Sequence, residues 1–187
     1  MGKTREGRWP MIWLVGAGVL ALVVAVVIVV GALLPAEHEV TRWVRVRRTP
    51  EEVWGTLTDV EAFPSWRPRL ARVELLTPEG GRPRWREVGK DGAITFELVE
   101  ADVPRRLVTR IADASLPFGG SWTFVLQADD GGCLLTVTER GEVRNVVYRF
   151  MSRFVLGHTA TIDAYLRGLG VTYGESVTPR AATEEGV

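Results

Sequence analysis

The chain has 187 residues, enough for one domain of ordinary size once a terminal apolar segment is set aside. Its 23 basic and 23 acidic residues cancel, which excludes a global field drawing it to nucleic acid. A single cysteine excludes an internal disulfide and any cysteine-based structural zinc site, and two histidines leave little for histidine metal chemistry, so no metal site is expected.

A short basic tail, residues 1–10, carries Lys3, Arg5 and Arg8. The run from Met11 to Leu34 then contains no charge. At 1.5 Å per residue a helix of that length spans about 36 Å, against a hydrocarbon core of about 30 Å. Trp9 and Trp13 stand where an interfacial aromatic belt belongs, and Pro35 ends the run. The run reads as one transmembrane helix. A cleaved signal peptide competes, but its apolar core usually runs only about 7–15 residues. A buried core helix competes too, but the run is apolar all round. The basic tail favours a cytoplasmic N-terminus, giving a single-pass membrane protein with its domain on the extracytoplasmic side. Arg42, Arg45, Arg47 and Arg48 weaken that bias.

Val40 to Arg48 alternates as a strand, with Val40, Val44 and Val46 on one side and Arg42 out of pattern. Thr49-Pro50-Glu51-Glu52 predicts a helix start through a capping box with Pro at the first position. That helix carries Val53, Trp54 and Leu57 inward and stops near Asp59. Phe63-Pro64-Ser65-Trp66-Arg67-Pro68 predicts a rigid turn that excludes regular helix. Six strands follow: 71–77, 84–90, 93–101, 106–112, 121–128 and 133–143. Turn chemistry separates them, Pro78-Glu79-Gly80-Gly81 among it, and Asp91-Gly92 is a strong two-residue hairpin signal. Short links imply antiparallel neighbours, hence a meander. Cys133, in an apolar strand, reads as a small core residue. From Arg144 to Leu169 the period turns helical, with Val147, Phe150, Met151, Phe154, His158, Ile162, Tyr165 and Leu169 on one stripe. Residues 171–187 read as a disordered tail.

The predicted architecture is α+β: a curved antiparallel sheet of about seven strands wrapped on a long C-terminal helix, after one N-terminal transmembrane helix. A space between such a sheet and its helix is where ligand pockets form.

Residues 49–54 together with Leu57, Asp59, Phe63, Pro64 and Trp66 resemble the opening of the START-like, Bet v 1-like (SRPBCC) helix-grip superfamily, in its polyketide cyclase/dehydrase and lipid-transport branch. Residues 117–123 and 136–139 are similar to its later strands. The resemblance covers about 37–170. It implies a helix-grip domain with an internal cavity for a lipid, sterol, polyketide or similar molecule. It implies no fixed catalytic set and no cofactor, since this fold hosts carriers, receptors and a few enzymes.

The candidate ligand-binding residues are Trp66, Trp85, Phe96, Trp122, Phe124, Phe154 and His158. Trp66 is assigned to a pocket mouth, and His158 to a polar head-group contact or a general base. Aromatics on such stripes are more often core. Alternation puts Trp122, Phe124 and Leu126 on one face, and Ile94, Phe96 and Leu98 on one face. Glu97 is expected in solvent, and Glu139 in a strand-end ion pair with Arg140 or Arg144. Arg82, Arg84 and Arg86 around Trp85 mimic a nucleic-acid patch, but the neutral charge argues against that partner. Three functional readings follow. The first is a membrane-anchored, non-catalytic binding module for a hydrophobic small molecule or lipid. The others are an envelope partner-binding domain without a ligand, and a cyclase or dehydratase with His158 as base.

Overall fold

The computed structural model describes residues 9–90, 92–156 and 159–182. Helix α1 (Trp9–Leu33) is 25 residues long. Its stretch Trp13–Leu33 has a mean hydropathy of 3.0, and its side chains stand almost wholly clear of the domain. It is long and apolar enough to cross a membrane, the property a signal sequence shares.

Strand β1 (Glu37–Val46) leads into α2 (Pro50–Thr58). The predicted capping box is formed: the Glu52 amide donates to Thr49 Oγ1 at 3.3 Å, and the Thr49 amide to Glu52 Oε2 at 2.8 Å. The expected rigid turn is instead helical, a 3₁₀ turn (Val60–Ala62) followed by the single-turn α3 (Phe63–Trp66). Pro64 falls in the first turn, where its missing N–H has no helical partner to lose, so the proline is tolerated.

The meander follows as β2 (Leu70–Glu79), β3 (Arg82–Gly89), β4 (Gly92–Asp102), β5 (Arg106–Ile111), β6 (Phe118–Asp129) and β7 (Gly132–Val143). Gly80 and Gly81 take φ of 59° and 78°, the left-handed pair that a two-residue hairpin of right-twisted strands requires. Gly92 opens β4; Asp91 lies outside the described residues. Strand β1 joins the far edge of the meander antiparallel to β7, with Val44 opposite Leu135. With a last short strand, β8 (Arg180–Ala181), the sheet order is β2-β3-β4-β5-β6-β7-β1-β8.

The expected single long helix is broken. Helix α4 (Val146–Met151), capped by Asn145 accepting from the amides of Val147 and Tyr148, gives way to a wider π-type turn (Ser152–Leu156). Helix α5 (Ala160–Thr172) then crosses the sheet. Only α5 grips the concave face: Ile162, Leu166 and Leu169 are fully buried, whereas α4 packs beside α1. Periodicity shows that a face is apolar but not which apolar surface receives it.

Over residues 171–182 the chain departs from the disordered tail expected there; residues 183–187 of that tail lie outside the described residues. Helix α5 continues to Thr172, and β8 (Arg180–Ala181) pairs with β1. Trp43 on the convex face holds this segment, its indole N–H donating to the Ala181 carbonyl at 3.1 Å under the guanidinium groups of Arg45 and Arg180. The off-pattern Arg42 also has its reason. It points to the concave side and forms a two-bond pair with Asp163 on α5, at 2.7 and 3.0 Å. This ion pair fastens the first strand to the gripping helix.

Candidate functional site

The pairing registers fix which side chains share the concave face, since directly opposed residues point the same way. Val44 opposes Leu135, Leu126 opposes Leu135, Phe124 opposes Val137 and Leu107, and Trp122 opposes Glu139 and Thr109. Phe96 opposes Ile111 and Trp85. The two aromatic rows read from alternation therefore lie on one face, the concave one.

That face is uneven along its length. At the end distant from α1, Val46, Leu107, Leu126, Cys133 and Leu135 are closed over by α2 and α5 and are at most 3% exposed. At the end near α1, Phe96, Leu98, Ile111, Phe118 and Trp122 are only half-buried. Apolar wall without an apolar cover is what a ligand site presents. Two open clefts lie elsewhere. One, of about 590 Å³, runs between Arg45, Asp129, Glu175 and Arg180; the other, of about 450 Å³, between α2 and the end of α5.

Tyr165 of α5 joins three of the predicted site residues. Trp66 meets its ring edge-on at 5.0 Å, Trp122 edge-on at 5.3 Å, and Phe124 at 5.7 Å in a tilted contact. Trp66 is 8% exposed, packed under α5, and it also lines the second cleft, between α2 and the end of α5. Its indole nitrogen is buried with no hydrogen-bond partner among the described residues. Trp85 and Phe96 form a separate pair, stacked at 5.8 Å. Phe154 is not with them. It is 60% exposed on the π-type turn, against Phe150 at 4.9 Å. His158 lies outside the described residues.

Among the described residues, two carboxylates of the sheet stand on the concave wall. Glu87 is buried and held by Arg67 in a two-bond pair with both contacts at 2.8 Å, and the Trp85 indole donates to it at 3.2 Å. Arg67 also lies over the rings of Phe63 and Tyr165, both at 5.2 Å, so this cluster clamps α3 onto the sheet. Glu139 is different. Trp122 stands directly opposite it on β6, and His38 Nε2 stands 3.9 Å from one oxygen. Its Oε2 is buried without a hydrogen-bond partner among the described residues. Burial pushes its carboxyl above the usual carboxylate range, with the Trp122 side chain pulling the other way.

Glu139 therefore does not form the predicted pair with Arg140 or Arg144, which bind Glu39 and Glu142 instead. Glu139 shares the concave face with Val137, strand alternation turns Arg140 to the other face, and Arg144 lies past the end of β7. Glu97 also departs from expectation. It is 8% exposed on the convex face, beneath Arg82 and Arg110. Long arginine stems cover a carboxylate that strand alternation leaves in solvent. Tyr165 and Glu139 were visible in the sequence only as an apolar-stripe aromatic and a strand-end acid.

The sequence profile of the family described as polyketide cyclase/dehydrase and lipid transport matches residues 37–169. A search of curated proteins finds no match for the chain. Among solved structures, a protein of Thermus thermophilus aligns with a TM-score of 0.59 at 20% identity, over 71% of this chain and 94% of its own. A START superfamily protein of Mycobacterium smegmatis aligns with a TM-score of 0.55 at 19% identity, over 71% and 94%. Norcoclaurine synthase of Thalictrum flavum aligns with a TM-score of 0.58 at 10% identity, over 74% and 87%. Identities this low carry the fold, not the chemistry.

Proposed function

The chain belongs to the polyketide cyclase/dehydrase and lipid-transport family, and on that premise we propose that it is a membrane-anchored, non-catalytic module holding a hydrophobic small molecule or lipid against the concave face of its sheet. One observation carries this reading: the half-buried apolar wall of Phe96, Leu98, Ile111, Phe118 and Trp122, open at the end nearest α1. The far end of the same face is filled by the protein's own core. Glu139, with its unpartnered Oε2, supplies a polar contact for the ligand's head group. Only residues 34–36 separate α1 from β1, a reach of about 11 Å at full extension. With α1 across the bilayer and the domain on the extracytoplasmic side, the open end of the site lies beside the lipid from which apolar ligands come.

The test is photolabelling of the full chain in nanodiscs with a long-chain fatty acid bearing a diazirine, followed by peptide mapping. Labels on β4 and β6 are expected, lost when Phe96→Arg places a charge on the wall. Labels confined to α1 would mean that the chain meets lipid only through its span, and the binding reading would be abandoned.

A further inference from the structure

The half of the C-terminal helical region that leaves the sheet has an unusual surface. Val147, Tyr148, Met151 and Phe154 are 43%, 47%, 38% and 60% exposed. They recur three and four residues apart, so they form one apolar stripe directed away from the domain. Soluble helices bury such a stripe, and α5, in the same region of chain, does.

The position of the stripe relative to α1 identifies its occupant. Gly31 is buried against α4, and a Cβ there would collide with the Val146 carbonyl oxygen. Only glycine permits this backbone approach. Gly31 lies two residues before the end of α1 at Leu33, about 3 Å along the helix axis. The stripe thus leaves α1 at the depth of its last turn. The basic residues around it fit the head-group layer. Arg153 is exposed, and Arg149 is partly exposed, its Nε donating to the Val143 carbonyl at 2.7 Å. Tyrosine beside arginine is the composition of an interfacial segment.

We propose that Val147–Phe154 lies in the head-group interface of the same bilayer that α1 spans, as a second membrane contact. This rests on the reading of α1 as a membrane anchor. Lipid is favoured over a protein partner because the stripe is continuous with the end of α1 and cannot leave lipid while α1 is inserted. The arrangement also explains why the near end of the concave face is uncovered: the segment that periodicity assigns to the sheet is committed to lipid instead.

The test uses the full chain in vesicles of phosphatidylcholine and phosphatidylglycerol, with an NBD probe on single introduced cysteines. Cys133 is buried and does not compete. Leu20→Cys reports the span. Val103→Cys, 63% exposed at the opposite end of the sheet, reports water, and Phe154→Cys reports the stripe. The expected result is loss of iodide quenching and gain of quenching by doxyl lipids at positions 20 and 154, with position 103 unchanged. Lipid quenching at 20 alongside full iodide access at 154 would overturn the proposal and leave the anchor standing. Iodide access at both 20 and 154 would overturn the anchor reading and the proposal with it. Shielding at 154 that appears only as the chain self-associates would assign the stripe to a second copy, which also overturns the proposal.

Discussion

The Arg42–Asp163 pair joins the first strand to the gripping helix, and removing one partner takes two charge-assisted hydrogen bonds from the other. The side chains are 19% and 11% exposed, so both charges are largely withdrawn from water. Asp163→Ala removes the two hydrogen bonds that the carboxylate accepts from Arg42. Breaking a buried pair from one side costs about 3–5 kcal/mol, because an uncompensated charge stays behind. The residual exposure, and the bond that Arg42 Nη2 keeps with the Pro179 carbonyl at 3.3 Å, favour the lower figure. For a domain of this size about 3 kcal/mol corresponds to a fall in Tm of roughly 6–12 °C. The double substitution Arg42→Met with Asp163→Leu replaces both charges by apolar groups, and should recover most of the loss. The assay is thermal unfolding in one detergent, followed by tryptophan fluorescence, of the wild type, Asp163→Ala, Arg42→Met, Asp163→Leu and the double variant, with coupling read from the cycle formed by the wild type and the last three. If Asp163→Ala shifts Tm by less than about 2 °C, well below the range set by the size scaling, or if the double variant is no better than the single ones, the pair is not the fastening described.

Cys133 is 1% exposed, and burial pushes its thiol up to about 11. The native protein should therefore resist maleimide at pH 8 and react on unfolding, and rapid stoichiometric labelling of the native state would refute this. Glu139 offers a pH signature. Its carboxyl lies above the ordinary 4.5 in the folded protein, so the folded state holds more protons than the unfolded one over the interval upward from 4.5. Stability from this group is complete below 4.5 and is lost as pH rises through the folded value. Glu139→Gln should lessen that loss, so the variant gains on the wild type from pH 4.5 upward through the folded value. Parallel urea midpoints across that range would show that Glu139 is ionised freely in the fold.

Much of the fold could be read from residues near one another in the chain. Hairpins report themselves locally, because strand alternation and the Gly80-Gly81 turn act over a few residues. The capping box at Thr49 and Glu52 does so too, as does an uncharged run long enough to span a bilayer. The candidate site was legible in part. Trp66, Trp122 and Phe124 do converge, but through Tyr165, whose role depends on the angle at which α5 crosses the sheet. Phe154, on the π-type turn, obeys the same helical period as Ile162 yet is 60% exposed, because, of this region, α5 is the part that packs on the sheet.

The chain by itself determined the order of the first seven strands, the apolar span and the two faces of each strand, since each follows from spacing along a single segment. Tertiary structure alone decided which face is concave, that Arg42 meets Asp163 across 121 residues, and that Glu139 stands opposite Trp122 on that face. It also decided that α4 joins α1 rather than the sheet. The physical reason is common to all four: apolar and charged side chains choose partners by distance in space, and local pattern carries no record of that distance.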